Sequence, residues 1–139
     1  MPSTSTPRDM SVSKTIAALL GPTLVATALM LLVNLGDMPA MIDELSRSPM
    51  LIILAGYAAF TPGLAIVYFH NRWEGGWPVL ITLIGWLSVI VGLIRMVFPV
   101  QLARIMTHAG PSLHSVLPIV GAIFLLIGGV LCVKGYGRE

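Results

Sequence analysis

The most chemically varied stretch of the sequence separates two long apolar runs and reads His70-Asn71-Arg72-Trp73-Glu74-Gly75-Gly76-Trp77. An imidazole can titrate near neutral pH, and Glu74 can pair with Arg72 or His70, which would suit contact with a lipid headgroup or a partner. The sequence favours a structural alternative. In this alternative Trp73 and Trp77 anchor the chain at the membrane surface, Arg72 is a positive-inside charge, and the glycines make the turn. We call this segment the 70–77 loop and treat it as a candidate interaction site.

A single charge, Arg95, lies inside an apolar run, three residues before Phe98-Pro99. Charged residues within membrane spans default to a functional hypothesis. Near a helix end, however, the side chain can reach the interface or pair with an acidic residue of the first connection, namely Asp37, Asp43 or Glu44. The sequence therefore favours a structural ion pair over a permeation role, which would need more buried polar groups.

Other combinations that carry chemistry are missing from the sequence. His108 and His114 are six residues apart with Gly110-Pro111 between them, a poor spacing for one metal site on a helix. His70 falls at the opposite membrane face in a four-span topology, so paired haem ligation is not expected. The one cysteine, Cys132, excludes an intramolecular disulfide. Without a nucleophile and base, a phosphate-binding glycine loop or a cysteine cluster, we expect no enzyme activity, no metal and no cofactor.

The composition indicates a lipid solvent. Of the 139 residues 56% are hydrophobic and 10% are charged, whereas soluble domains carry about 25% charged residues. A bilayer crossing takes about 20 residues. Four apolar runs are long enough to cross: 15–36, 50–69, 78–98 and 113–133. Residues 1–13 are rich in Ser, Thr and Pro and are predicted to be a disordered tail, followed by a four-helix transmembrane domain over residues 14–139. The net charge of +2 is spread over single basic residues, which excludes a nucleic-acid patch.

Two connections between the runs have apolar residues at helical spacing. Residues 38–47 and the stretch from Pro99 are therefore predicted to be two short interfacial amphipathic helices. The expected fold is an all-α membrane protein, a bundle of four spans with these two surface helices. Each half would be a span, a surface helix and a span, with Pro39 and Pro99 in corresponding places, which predicts a parallel two-fold internal repeat.

Glycines recur seven residues apart in three of the runs. Seven residues are two helical turns, so each pair lies on one face and lets a neighbouring helix approach closely. The alternative is that glycine is simply common in membrane helices. The predicted packing positions are Gly56 and Gly63, Gly85 and Gly92, and Gly121 and Gly128.

Several segments carry a resemblance to known sequences. They are the run from Gly63 to Val67, the His70-Asn71-x-Trp73 pattern, the run WPVLITLIGWL from Trp77, and Arg95-Met96 with Phe98-Pro99. This pattern is similar to an uncharacterised family of small multi-pass bacterial inner-membrane proteins and covers about half of the chain. Family members often carry a Lys-Gly pair where this chain has Val91-Gly92. The resemblance implies a bacterial inner (cytoplasmic) membrane location and no particular activity.

Basic residues near the span ends predict the orientation. Five lie on the side of the amino terminus and three on the other, namely Arg8, Lys14, Arg72, Lys134 and Arg138 against Arg47, Arg95 and Arg104. By the positive-inside rule both termini are predicted to be cytoplasmic.

The small size and the glycine spacing favour a non-enzymatic protein with a structural or accessory role. It would pack in the lipid bilayer against itself, as a homo-oligomer, or against a larger membrane complex through the glycine faces. One alternative is a small oligomeric permeation or transport protein. Its path would be lined by Arg95, Asn34 and the scattered hydroxyl groups of Thr27, Tyr57, Thr61, Thr82 and Ser88. A weaker alternative is an interfacial enzyme acting on lipid through His70 and Glu74.

Overall fold

The computed structural model describes residues 7–73 and 75–137. Each helix after the first has a proline in its first turn, where the missing amide donor costs no helical hydrogen bond. Within the described ranges the chain forms five helices: α1 (Pro7–Val33), α2 (Met38–Arg47), α3 (Pro49–Phe69), α4 (Pro78–Val97) and α5 (Pro99–Tyr136).

The helices confirm the four predicted spans. Stretches long and apolar enough to cross a membrane are Met10–Val33, Pro49–Phe69, Pro78–Val97 and Ser115–Tyr136. Large apolar side chains cover their outer surface, as a lipid solvent requires. Leu19, Leu54 and Leu126, for example, are 69%, 62% and 71% exposed. The fold is therefore an all-α, multi-pass membrane protein.

The amino-terminal segment differs from the sequence-based expectation. Residues 1–6 of the predicted tail lie outside the described part of the chain, but α1 already begins at Pro7, and Ser13 is fully buried. Composition predicted a tail because a Ser- and Thr-rich segment buries little apolar surface. Ser13 contacts a histidine that is distant in sequence, as described below. Local composition cannot predict such a contact.

The four spans pair in two antiparallel sets. α1 packs mainly along α5, and α3 packs mainly along α4. All four meet at one level, where each contributes one buried residue, namely Ala17, Ile66, Ile81 and Leu131. The predicted two-fold repeat equates α1 with α4 and α3 with α5. Under this exchange the α1–α5 pair becomes the α4–α3 pair. The pairing is therefore compatible with the predicted internal repeat, which stays a prediction.

Only one of the two predicted surface helices is a separate helix in the structure. The first is present as α2, over residues 38–47 as expected. The second is not a separate helix, because α5 continues from Pro99 through Gly110 and Pro111 to Tyr136. A Gly-Pro pair such as Gly110-Pro111 often interrupts a helix, but a proline inside a helix can be absorbed as a bend when the rest of the helix is well packed.

The start of α5 nevertheless runs across the end of the bundle. At 1.5 Å per residue, α4 rises about 24 Å from Ile81 to Val97, and α5 spans about 27 Å between Leu131 and Leu113. Because Ile81 and Leu131 share one level, Val97 and Leu113 stand at similar heights. Residues 99–112 must therefore run sideways, where α5 packs against α2.

Candidate functional site

His70 follows α3 directly and is enclosed, with 1% of its surface exposed. Its Nε2 atom lies 2.7 Å from the hydroxyl oxygen of Ser13 on α1, and its Nδ1 atom lies 3.3 Å from the hydroxyl oxygen of Thr82 on α4. Ser13 and Thr82 are fully buried as well. One imidazole thus connects α1, the end of α3, and α4. We call His70, Ser13 and Thr82 the polar cluster.

Thr82 also fixes the first residues of the 70–77 loop. The Arg72 amide donates a hydrogen bond to Thr82 Oγ1 at 3.1 Å. The Thr82 hydroxyl lies 2.9 Å from the Arg72 carbonyl oxygen and 3.2 Å from that of His70. Backbone groups that leave a helix need new partners, and one threonine hydroxyl supplies them here.

Asn71 orients two indole rings at the outer surface. Trp73 Nε1 donates to Asn71 Oδ1 at 2.9 Å, and Trp86 Nε1 approaches the same oxygen at 3.4 Å. Trp73 is 59% exposed and Trp86 is 38% exposed. An exposed indole with its N–H satisfied suits the membrane interface, which agrees with the anchoring role proposed for Trp73.

The residues behind the sequence resemblance contact one another in this region. The His70-Asn71-x-Trp73 segment meets the WPVLITLIGWL run through Thr82 and Trp86. These partners are 12 and 15 residues apart in sequence. Both halves of the pattern therefore belong to one hydrogen-bonded unit at the end of the α3–α4 hairpin.

Two other loop residues have different placements. Trp77 is half-buried and packs against the core level where the four spans meet, and its role as a surface anchor stays a prediction. Glu74 lies outside the described residues, and its pairing with Arg72 or His70 stays a prediction. Gly76 has a φ of 111°, which favours glycine and makes the turn into α4.

Burial lowers the pKa of His70 below its usual 6.5. A backbone hydrogen bond opposes this shift, and the positive charge of Arg72 adds to it. The ring is therefore neutral at pH 7, with one nitrogen protonated and one free to accept. Because both nitrogens face buried hydroxyls, the imidazole is occupied as a structural group and has no open side for a substrate.

The predicted glycines of α3 and α4 face one another across the hairpin. A Cβ atom added at Gly92 would lie 2.7 Å from the amide nitrogen of Phe60 and 2.8 Å from the carbonyl oxygen of Gly56. A Cβ at Gly63 would lie 3.0 Å from the carbonyl oxygen of Gly85. Real Cβ contacts are not this short, so these four positions allow the two backbones to touch.

The glycines of α5 serve the same purpose against α1. A Cβ at Gly128 would lie 2.9 Å from the amide nitrogen of Val25, and one at Gly121 would lie 3.0 Å from the Leu32 side chain. Gly129, the next residue, has open space around it. The seven-residue spacing therefore does mark packing faces, but the partner is another helix of the same chain.

Sequence reasoning missed two further close approaches between α1 and α5. A Cβ at Gly135 would lie 2.5 Å from the Ala18 amide nitrogen, and one at Gly21 would lie 2.7 Å from the Cys132 amide nitrogen. Gly135 continues the seven-residue series from Gly128, so the signal was present in the sequence. Gly21 stands alone on α1, and only the position of Cys132 reveals its role.

Arg95 lies half-buried in the last turn of α4. Its Cβ atom is 3.0 Å from a Cβ placed at Gly56, so the start of its side chain packs on α3. The predicted ion pair is wrong for Asp43, which pairs instead with Arg47 of its own helix at 2.9 Å. Within residues 7–73 and 75–137 no acidic partner of Arg95 is found. A cation at a helix carboxyl end is still favourable against the helix dipole.

Polar side chains along α1 bond to their own helix. Thr23 and Thr27 each donate to the carbonyl oxygen four residues earlier, both at 2.8 Å. Asn34 donates to the carbonyl oxygen of Met30 at 2.8 Å. The hydrogen-bonding capacity of these groups is therefore used within their own segment of the chain.

The spacing of His108 and His114 predicts that the two side chains share no metal ion. His108 Nδ1 lies 2.7 Å from the Arg104 carbonyl oxygen, one turn earlier in α5. The His114 side chain lies outside the described part. Among the side chains that the structure describes, no three His, Cys, Asp or Glu converge as a metal site requires.

Comparison with known proteins finds no matching family model, no matching curated protein and no matching solved structure. The function must therefore be argued from the geometry of this chain.

Proposed function

We propose that the protein is a non-enzymatic structural or accessory component of a membrane assembly. One observation carries the proposal: His70 and the paired glycines, which stand out in the sequence, hold the bundle together. His70 joins three helices, and the glycine pairs bring the spans into backbone contact. What the described chain offers to its surroundings is a helical unit with an apolar outer surface.

The outer surface is the part that can meet a partner. Because the glycine faces lie between helices of one chain, a partner helix must pack on the large apolar side chains instead. Aromatic residues at the end that carries the 70–77 loop fix the depth of the unit in the bilayer. Tyr68, Tyr136 and Trp73 are 81%, 68% and 59% exposed there.

The two alternatives receive less support from the geometry. A permeation path would use Arg95 and Asn34, but Asn34 bonds to its own helix and Arg95 sits in a terminal turn packed on α3. An interfacial enzyme would use His70, whose two nitrogens face Ser13 and Thr82 in a buried cluster.

We further propose a bacterial inner-membrane location with both termini and the 70–77 loop in the cytoplasm. The sequence resemblance supports the membrane, and the basic residues support the orientation. Arg8, Lys14, Arg72 and Lys134 lie at the end of the bundle that carries the loop, against Arg47, Arg95 and Arg104 at the other.

The test is purification of the tagged protein from its native membrane in a gentle detergent, with the mass of the intact assembly and identification of every co-purifying chain. We expect a different membrane protein at fixed stoichiometry. A homo-oligomer of fixed size, with a flux that Arg95→Leu abolishes, would support permeation and overturn the proposal.

A further inference from the structure

A crevice with a volume of about 380 Å³ lies between α1 and α3, open to the outside of the bundle. It exists because α1 pairs with α5 and α3 pairs with α4, so that α1 and α3 are left apart. They join again at one end, through Ser13 and His70. Apolar side chains make up most of the lining: Val12, Ile16, Leu19, Pro62, Ala65 and Phe69.

The two hydroxyl groups in the lining do not make it polar. Ser11 donates to the carbonyl oxygen of Arg8 at 2.7 Å, and Thr15 donates to that of Ser11 at 2.9 Å. Both hydroxyls are thus satisfied by their own helix. The crevice is a site for hydrocarbon and not for water.

The length of the crevice matches one leaflet. From Ser11 to Leu20 the helix rises about 14 Å, and the hydrocarbon of one leaflet is about 15 Å deep, half of a bilayer core of about 30 Å. The volume of about 380 Å³ falls in the range of ligand sites, about 300–1,000 Å³.

The form of the crevice suits a lipid chain. The space of about 380 Å³ extends over about 14 Å along α1, as a single extended hydrocarbon chain does.

Arg8 stands at the membrane-surface end of this crevice. It precedes Ser11 by three residues and Thr15 by seven, which places all three on one face of α1. Side chains of a helix tilt toward its amino terminus, so Arg8 extends from the mouth of the crevice toward the headgroups. Its side chain is exposed. A guanidinium group there can bind a phosphate oxygen while a tail lies below it.

We propose that the α1–α3 crevice binds one acyl chain of an anionic phospholipid whose phosphate contacts Arg8. The site needs no protein partner and so goes beyond the accessory role proposed above. The phosphate of any phospholipid reaches Arg8, but a headgroup with net negative charge gains most from it.

The test is native mass spectrometry of the full-length protein with phosphatidylglycerol or phosphatidylcholine of identical acyl chains. We expect one tightly held phosphatidylglycerol per chain. Arg8→Gln should weaken the binding of phosphatidylglycerol about fivefold, which is the effect of one basic residue at a membrane surface. Lys134→Gln removes a charge at the same end of the bundle, away from the crevice, and should change nothing. Equal binding of the two lipids, unaltered by Arg8→Gln, would overturn the proposal.

Substitutions that fill the crevice provide a second test of the proposed lipid site. Ala65→Phe places a ring in the crevice and should abolish the tightly held lipid, whereas Ala122→Phe at an exposed site on α5 should leave it in place. The wild type, which needs no variant to fold, should crosslink a phosphatidylglycerol with a photoreactive tail at residues 11–20 and 62–69. Crosslinks spread evenly over all four spans would overturn the assignment.

Discussion

The hydroxyl oxygen of Ser13 lies 2.7 Å from Nε2 of His70, although 57 residues separate the two in sequence. Both side chains are buried, with 0% and 1% of their surfaces exposed. Next to this contact, the crevice lies between α1 and α3. The contact therefore connects α1 to the α3–α4 hairpin. Its contribution to the free energy of unfolding can be measured.

Ser13→Ala should destabilise the bundle by about 1–3 kcal/mol, because it leaves a buried imidazole nitrogen without its partner. Ser11→Ala is the matched control, since Ser11 is exposed and bonds to its own helix. Unfolding in detergent, followed by circular dichroism, measures both. Equal effects of the two substitutions would show that the buried contact contributes nothing.

Stability should fall as the pH is lowered from about 6.5. The folded pKa of His70 lies below its unfolded value of 6.5, so the unfolded chain binds more protons in this window. The contribution of the neutral ring is complete above pH 6.5 and is lost as the pH falls through the folded pKa. Thermal unfolding between pH 7.5 and 5 should show the decline.

Two variants test whether His70 causes this pH dependence of stability. His70→Gln should remove most of the dependence, whereas His108→Gln, at an exposed site on α5, should retain it. A decline that persists in full in His70→Gln would place the titrating group elsewhere.

Two adjacent glycines offer a sharp test of helix packing. Gly128→Leu should cost about 1–3 kcal/mol or more, because its side chain must displace the backbone of α1 near Val25. Gly129→Leu has the same chemistry in the same helix, but the space around Gly129 is open. The mutant pair can be compared by the temperature at which half of each protein precipitates. Equal tolerance would contradict the close approach of α1 and α5.

Arg95→Met should leave the bundle folded and cost less than about 1 kcal/mol. The methionine keeps the packing of the side-chain stem on α3, and only the favourable contact between a cation and the helix carboxyl end is lost. Denaturant unfolding gives the difference. A loss of several kcal/mol would reveal an ionic partner and revive the structural ion pair predicted from sequence.

The spans and glycine faces were predictable because both depend on local regularity. Four runs of about 20 apolar residues have few alternatives to membrane helices. A seven-residue glycine spacing marks a close-packing face whatever the partner is. The partner itself was not predictable, and Gly128 meets Val25 of the same chain instead of another protein.

Only part of the polar cluster could be predicted from the sequence. His70 stood out by its type, but Ser13 was assigned to a tail and Thr82 was one of several scattered hydroxyls. Contacts across 57 and 12 residues depend on how the helices are arranged, which local pattern does not encode. The bend of α5 was hidden in a similar way, because Gly-Pro signals an interruption but does not distinguish a break from a bend.

The most direct test of the accessory role is photocrosslinking in the native membrane from outward positions on three spans. A photoreactive amino acid would replace Leu54, Leu87 or Leu126, which are 62%, 60% and 71% exposed on α3, α4 and α5. The accessory role predicts capture of one particular membrane protein from one face only, matching the chain that co-purifies at fixed stoichiometry. Capture of lipid alone, or of further copies of this chain alone, at all three positions would contradict it.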